Sequence, residues 1–141
     1  MAGQSSRTSP TVAVLMGGPS AEREVSFASG KPCAAALKGR GYTVIEVDAG
    51  PDLVSVLQSE KPDVVLNCLH GRWGEDGCVQ GILEWLGIPY SHSGVLSSAL
   101  AMDKQRTKDV YRAAGLPVVD SIIATAADVR AAPLMTPPYV V

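Results

Sequence analysis

"TVAVLMGGPSAEREVS" (residues 11–26) decides the fold. An apolar run from Thr11 to Met16 gives way at once to two glycines and a proline. A segment of helix formers carrying Glu22 and Glu24 follows. Strand, glycine turn and helix start, in that order, mark the place where α/β proteins hold ligands beyond the carboxyl ends of their strands. The same alternation continues downstream. "YTVIEVD" (42–48), "DVVLNCL" (63–69) and the short "IPYS" (88–91) read as further strands. Continuous Val/Ile/Leu runs of this kind suit strands covered on both faces, as in a parallel sheet.

Helical periods lie between and after them. Val79, Ile82, Leu83 and Leu86 form one stripe, stopped by Gly87, and Leu53, Val54 and Leu57 form a shorter one. From Ser97, the spacing Leu100, Lys104, Thr107, Tyr111, Ala114 predicts a long amphipathic helix ended by Gly115. The expected architecture is an α/β, doubly wound, mostly parallel sheet with flanking helices. Residues 1–10 read as a disordered arm, 11–116 as the α/β domain, and 117–141 as a linker and the start of something further. Within that tail "VVDSIIAT" fits an edge strand, "AADVRAA" a short helix, and the closing "PPYVV" the beginning of another strand, so the chain reads as cut.

Composition narrows the function classes. Of the 141 residues 46% are apolar and 18% charged, which suits a chain that buries a core. The net charge of −2, with no gathered lysines or arginines, argues against a nucleic-acid surface. No run approaches the roughly 18 apolar residues of a spanning helix, and the first ten residues lack a secretory signal's apolar middle. Cys33, Cys68 and Cys78 form no CxxC pair, and two fall in apolar runs, so buried thiols and a cytoplasmic location are expected.

Two loops answer the description of a ligand mouth, residues 17–26 and 70–77. The first lacks the G-x-G-x-x-G of a dinucleotide fingerprint. Its carboxylates suit a cation instead, and the helix dipole favours an ionised Glu22 at this place by about 0.3–1 kcal/mol. Acidic first turns are also ordinary helix starts, so by position alone Glu22 and Glu24 fit that plainer role. Ser20 fits an N-cap, but Arg23 stands where a capping box needs Glu or Gln. In the second loop, "NCLHGRWGEDGCVQG" (67–81), His70 ends a strand and Gly71, Gly74 and Gly77 give a mobile backbone. A lone histidine there is more often a satisfied structural residue than a catalytic one. Glu75 and Asp76 are adjacent, which disfavours a paired-carboxylate acid/base site, and Asp76 fits the N-cap of the next helix. One histidine and two neighbouring carboxylates do not make a metal set, so no metal site is expected in this chain.

"GGPSAEREVS", "LHGRWGEDG" and "HSGVLSSALAMDK", in that order and spacing, resemble the amino-terminal domain of the D-alanine–D-alanine ligase family, within the ATP-grasp superfamily, over about residues 11–141. The resemblance implies a Rossmann-like, pre-ATP-grasp fold, and "PPYVV" resembles the start of the family's central domain. It implies an enzyme for peptidoglycan synthesis: ATP phosphorylates the carboxylate of one D-alanine, and the amine of a second attacks the acyl phosphate. Glu22 then matches the glutamate that holds the first D-alanine's ammonium. Val25 matches a residue packed on that substrate's methyl group, His70 a histidine beside it, and Lys104 a lysine near the nucleotide phosphates. ATP and Mg (or Mn) are implied for the full-length enzyme, which is usually a homodimer. The 141-residue chain alone is expected to bind neither and to make no dipeptide. Relatives joining D-alanine to D-lactate or D-serine would share this domain, and a non-catalytic amino-acid-binding module is the reading from another class.

Three positions depart from the family pattern. Pro32 sits inside the expected helix, which must either begin late, near Ser29, or kink at Ala28. Arg72-Trp73 replaces a glycine-rich pair and puts a bulky ring beside the His70 loop. His92 stands where a small residue is usual.

Overall fold

The computed structural model describes residues 9–138. These fall into two compact units, one up to Lys104 and one from Gln105 onward. Most of the arm expected over 1–10, and the last three residues of "PPYVV", lie outside the described residues.

The first unit is built on a parallel sheet in the order β2-β1-β3, from β1 (Thr11–Met16), β2 (Thr43–Asp48) and β3 (Val64–Asn67). β1 lies in the middle and its side chains alternate between two cores. Ala13 and Leu15 join Val47, Leu57, Val65 and Leu83 on one face. Val12, Val14 and Met16 join Ala34 on the other, with Phe27 and Leu37 packed against them. Leu15, Leu57 and Leu83 are fully buried, each contributing about 1.5–3 kcal/mol. Helix α1 (Arg23–Gly39) covers the second face, and α2 (Leu53–Glu60) and α3 (Cys78–Leu86) cover the first. The doubly wound α/β expectation therefore stands. The chain leaves the central strand for one edge and returns to the other, so β1 and β3 flank the point where strand order switches, the usual ligand crevice of such sheets.

Several local expectations need correction. "IPYS" is not a strand; it reaches the sheet through one bridge, Tyr90 to Val65, too little for a ladder. The helix foreseen from Ser97 is two helices, α4 (Val95–Met102) and α5 (Lys104–Ala113). Asp103 between them is extended, at φ −90 and ψ 96, and breaks the hydrogen-bonded turn. The late helix start considered for Pro32 does not occur, since α1 begins at Arg23 and carries Pro32 inside it. There the missing N–H leaves the Ala28 carbonyl without its helical donor. The N-caps of α1 and α3 are Glu22 and Gly77 rather than Ser20 and Asp76. Cys33 and Cys68 are only partly buried and Cys78 is exposed.

In the second unit, α5 continues to Ala113, and α6 (Ala126–Ala131) follows as expected. α6 is opened by a capping box: Thr125 Oγ1 accepts from Asp128 N at 3.2 Å and Thr125 N donates to Asp128 Oδ2 at 2.8 Å. "VVDSIIAT" forms no strand, having no strand to pair with among this unit's described residues. No helix among the described residues is long and apolar enough to cross a membrane.

Candidate functional site

The loop after β1 and the loop after β3 leave neighbouring strands at their carboxyl ends, and they meet through Glu22 and Gly71. A Cβ built on Gly71 would collide with the Glu22 carboxylate. Gly71 also holds φ +68, a conformation that disfavours any side chain. Only glycine lets the carboxylate rest where it does. Glu22 is the N-cap of α1, yet its side chain makes no capping bond. Among the described residues, no ion pair or hydrogen bond engages that carboxylate.

Serine hydroxyls tie the two loops together. Ser20 Oγ donates to the His70 carbonyl at 2.8 Å and accepts from Glu22 N at 3.0 Å. On α1, Ser29 Oγ lies 3.0 Å from His70 Nε2 and 3.1 Å from the Val25 carbonyl oxygen. Buried Ser26 donates from its Oγ to the Cys68 carbonyl at 2.7 Å. Glu22, Val25 and Ser29 are spaced i, i+3, i+7 and so share one helical face. Val25 is 52% exposed on it.

The His70 loop is braced from within, which revises the expectation of a mobile backbone. Glu75 Oε2 accepts from Gly71 N at 2.6 Å, and Glu75 Oε1 lies 4.0 Å from His70 Nδ1. Asp76 accepts from Trp73 N at 2.9 Å and from Cys78 N at 3.1 Å. Partial burial works against its ionisation, but those backbone N–H bonds outweigh it and hold its carboxyl below the usual range. The buried amides of Asn67 and Gln80 both donate to the Gly74 carbonyl, at 2.9 and 3.0 Å. His92 contributes to this brace, its Nδ1 lying 3.1 Å from Asn67 Nδ2. Trp73 does not cover His70. It carries the stacked Arg72 guanidinium at 4.6 Å and walls an apolar cavity of about 250 Å³ with Pro19, Leu53, Leu69 and Ile82. None of the four predicted site residues lines that cavity.

The first loop is fixed from β2. Arg23 pairs with Asp48 through both Nη atoms, the Nη1 to Oδ1 distance being 2.7 Å, and Nη1 also donates to the Gly18 carbonyl at 3.1 Å. Gly18 N donates to the same Asp48 Oδ1 at 3.1 Å. The Arg23 hydrogen bond holds the Asp48 carboxyl below its ordinary value, against a smaller opposing effect of burial. Arg23 is thereby engaged with Asp48 and makes no ion pair with Glu22, the carboxylate next to it in sequence.

Of the residues expected from the sequence, Glu22, Val25 and His70 come together. Lys104 opens α5 with an exposed side chain, and none of the cluster's hydrogen bonds among the described residues involves it. In the sequence Ser20 reads as an N-cap, Gly71 as mobile backbone, Ser29 as an alternative helix start and Glu75 as a carboxylate without a partner, and none of them as part of the site. Only the i, i+3, i+7 spacing of Ser29 was there to be noticed. Among the described residues no group of three or more His, Cys, Asp or Glu side chains converges for a metal.

Comparison with known proteins bears on family and fold. The family model described as D-ala D-ala ligase N-terminus matches residues 49–93. The chain is 72% identical over 139 residues to the D-alanine–D-alanine ligase of Roseobacter denitrificans, covering 99% of this chain and 44% of that protein. It is 68% identical over 141 residues to that of Cereibacter sphaeroides, covering all of this chain and 46% of the relative. Thus it spans less than half the length of these curated relatives. Among solved structures, the Bacillus anthracis D-alanine–D-alanine ligase complexed with ATP superposes with TM-score 0.66 at 39% identity, over 76% of this chain and 37% of that one. The Coxiella burnetii ligase gives TM-score 0.69 at 31% identity, over 80% and 43%.

Proposed function

We propose, from the premise that the chain belongs to the D-alanine–D-alanine ligase family as its amino-terminal domain, that it anchors the first D-alanine of an ATP-dependent ligase of peptidoglycan synthesis. The observation that carries this reading is the unpaired Glu22 carboxylate seated on Gly71 beside the tied His70 loop. An ammonium about 4 Å from that carboxylate would be attracted by about 4 kcal/mol at an effective dielectric of 20, before its own desolvation is charged against it. Val25, exposed on the same helical face, is placed for an apolar contact as small as a methyl group. His70 completes the wall.

The reaction follows from the family. The substrate carboxylate attacks the γ-phosphorus of ATP, ADP leaves, and an acyl phosphate forms. The amine of a second D-alanine then attacks the acyl carbon and expels inorganic phosphate, leaving the dipeptide. This chain's part is positional: it fixes the first amino acid by charge and shape so that its carboxylate is presented to the nucleotide. Lys104 is assigned to the nucleotide phosphates by family match alone. One exposed lysine does not make a nucleotide site, and the described residues do not fit a Mg²⁺ or Mn²⁺ site. Residues 117–141 belong, in this reading, to the linker and the next domain. A cytoplasmic location, a homodimer, and a 141-residue chain that alone binds neither nucleotide nor metal and makes no dipeptide are carried by the family resemblance.

The test is phosphate release by the full-length protein with ATP, Mg²⁺ and D-alanine. Dipeptide and phosphate formed in equal amounts support the reading. Dipeptide absent, or a D-lactate or D-serine product preferred, overturns it.

A further inference from the structure

His70 has three polar neighbours. Its carbonyl accepts from Ser20 Oγ at 2.8 Å, its Nδ1 faces Glu75 Oε1 at 4.0 Å, and its Nε2 meets Ser29 Oγ at 3.0 Å. The first two partners come from the neighbouring loop and from the histidine's own loop. The third comes from the second turn of α1, on the face that carries Glu22 and Val25. We propose that Ser29 is a positioning residue for His70, its hydroxyl serving as a reversible partner of ring Nε2. This rests on the ligase reading only for its kinetic consequence.

The count of hydrogens at the ring decides which partner donates. A carboxylate only accepts, so it attracts Nδ1 when Nδ1 carries its hydrogen. In a neutral ring of that tautomer Nε2 is an acceptor, and the Ser29 hydroxyl donates to it in place of the Val25 carbonyl. If Nε2 takes a proton, the same hydroxyl oxygen accepts from it. The hydroxyl hydrogen then turns to the Val25 carbonyl, 3.1 Å away. A hydroxyl is both donor and acceptor, so Ser29 keeps the ring in place through either state without moving a heavy atom. Alanine would leave Nε2 without this partner, and threonine would preserve it.

The experiment uses the full-length protein labelled with ¹⁵N-histidine, as wild type, Ser29→Ala, Ser29→Thr and His70→Gln. The last assigns the His70 ring signals by their loss. Wild type is expected to show the Nδ1–H tautomer, Ser29→Ala to change the tautomer ratio, and Ser29→Thr to match wild type. In steady-state kinetics Ser29→Ala is expected to raise the KM of the first D-alanine about fivefold, the effect of one lost hydrogen bond. The value of kcat stays within about twofold and Ser29→Thr recovers KM. Alanine is the best helix former, so the variant keeps α1. Unchanged ring signals in Ser29→Ala overturn the proposal. So does an unchanged KM in a protein where His70→Gln raises it. A protein without ligase activity refutes the functional reading instead, and the ring signals still decide the role of Ser29.

Discussion

Replacing Gly71 by alanine separates a backbone cost from a functional one, because Gly87 supplies a matched control. Both residues hold φ +68. At Gly87 a Cβ meets nothing within 4 Å, whereas at Gly71 it would strike the Glu22 carboxylate. Each alanine pays the left-handed penalty of about 1–2 kcal/mol in stability. Gly71→Ala must in addition push Glu22 off its seat. If the carboxylate loses its ammonium contact, a charge-assisted hydrogen bond of about 1.5–3 kcal/mol is lost, or about 10- to 150-fold in substrate binding. A displaced but still reachable carboxylate loses less, so about tenfold in the KM of the first D-alanine is expected. The assay is steady-state ligase kinetics on the two full-length variants, with urea unfolding run alongside. Gly87→Ala should lose stability and keep its KM. If Gly71→Ala shows the same KM as Gly87→Ala, the seating of Glu22 on Gly71 has no part in binding and the reasoning fails.

Pro32→Ala restores a donor to the Ala28 carbonyl at an exposed position inside α1 and should stabilise the protein by about 1–3 kcal/mol. An unchanged or lower urea midpoint would contradict that. Asp48 has its carboxyl held down by Arg23, so its contribution is complete above the ordinary carboxylate range and is lost as pH falls through the lowered folded value. Asp48→Asn should therefore cost stability at pH 7 and flatten the acid limb below about pH 4. Equal acid limbs in the two proteins would refute it. Burial, and then the neighbouring Cys33 thiol, push Cys68 up to about 11; partial burial and Asp76 raise Cys78 too, but Cys78 is exposed. Iodoacetamide at neutral pH should label Cys78 first, as read by peptide mass; prior labelling of Cys68 would overturn this.

Strands and helices with long periodic faces were readable because periodicity records burial. β1 alternates between two cores, and the apolar stripe of α3 buries Val79 and Leu83. Periodicity does not record a single broken turn. Leu100, Lys104 and Thr107 keep their spacing across Asp103, so one long helix was expected where there are two. "IPYS" has strand composition but pairs with the sheet through one isolated bridge, and pairing partners are invisible in a local run. At the site, Glu22 and His70 announce themselves by type and place. Gly71 was read as mobility, whereas it provides room for a carboxylate 49 positions earlier in the chain. Ser20, Ser29 and Asp48 act on partners 50, 41 and 25–30 residues away, and no local pattern encodes such contacts.

The most direct measurement is a crystal structure of the full-length protein with D-alanine bound. A Glu22 oxygen within about 2.7–3.2 Å of the substrate nitrogen, with Gly71 still beneath the carboxylate, is the predicted result. A Glu22 side chain turned to solvent while another acid holds the ammonium would contradict the account.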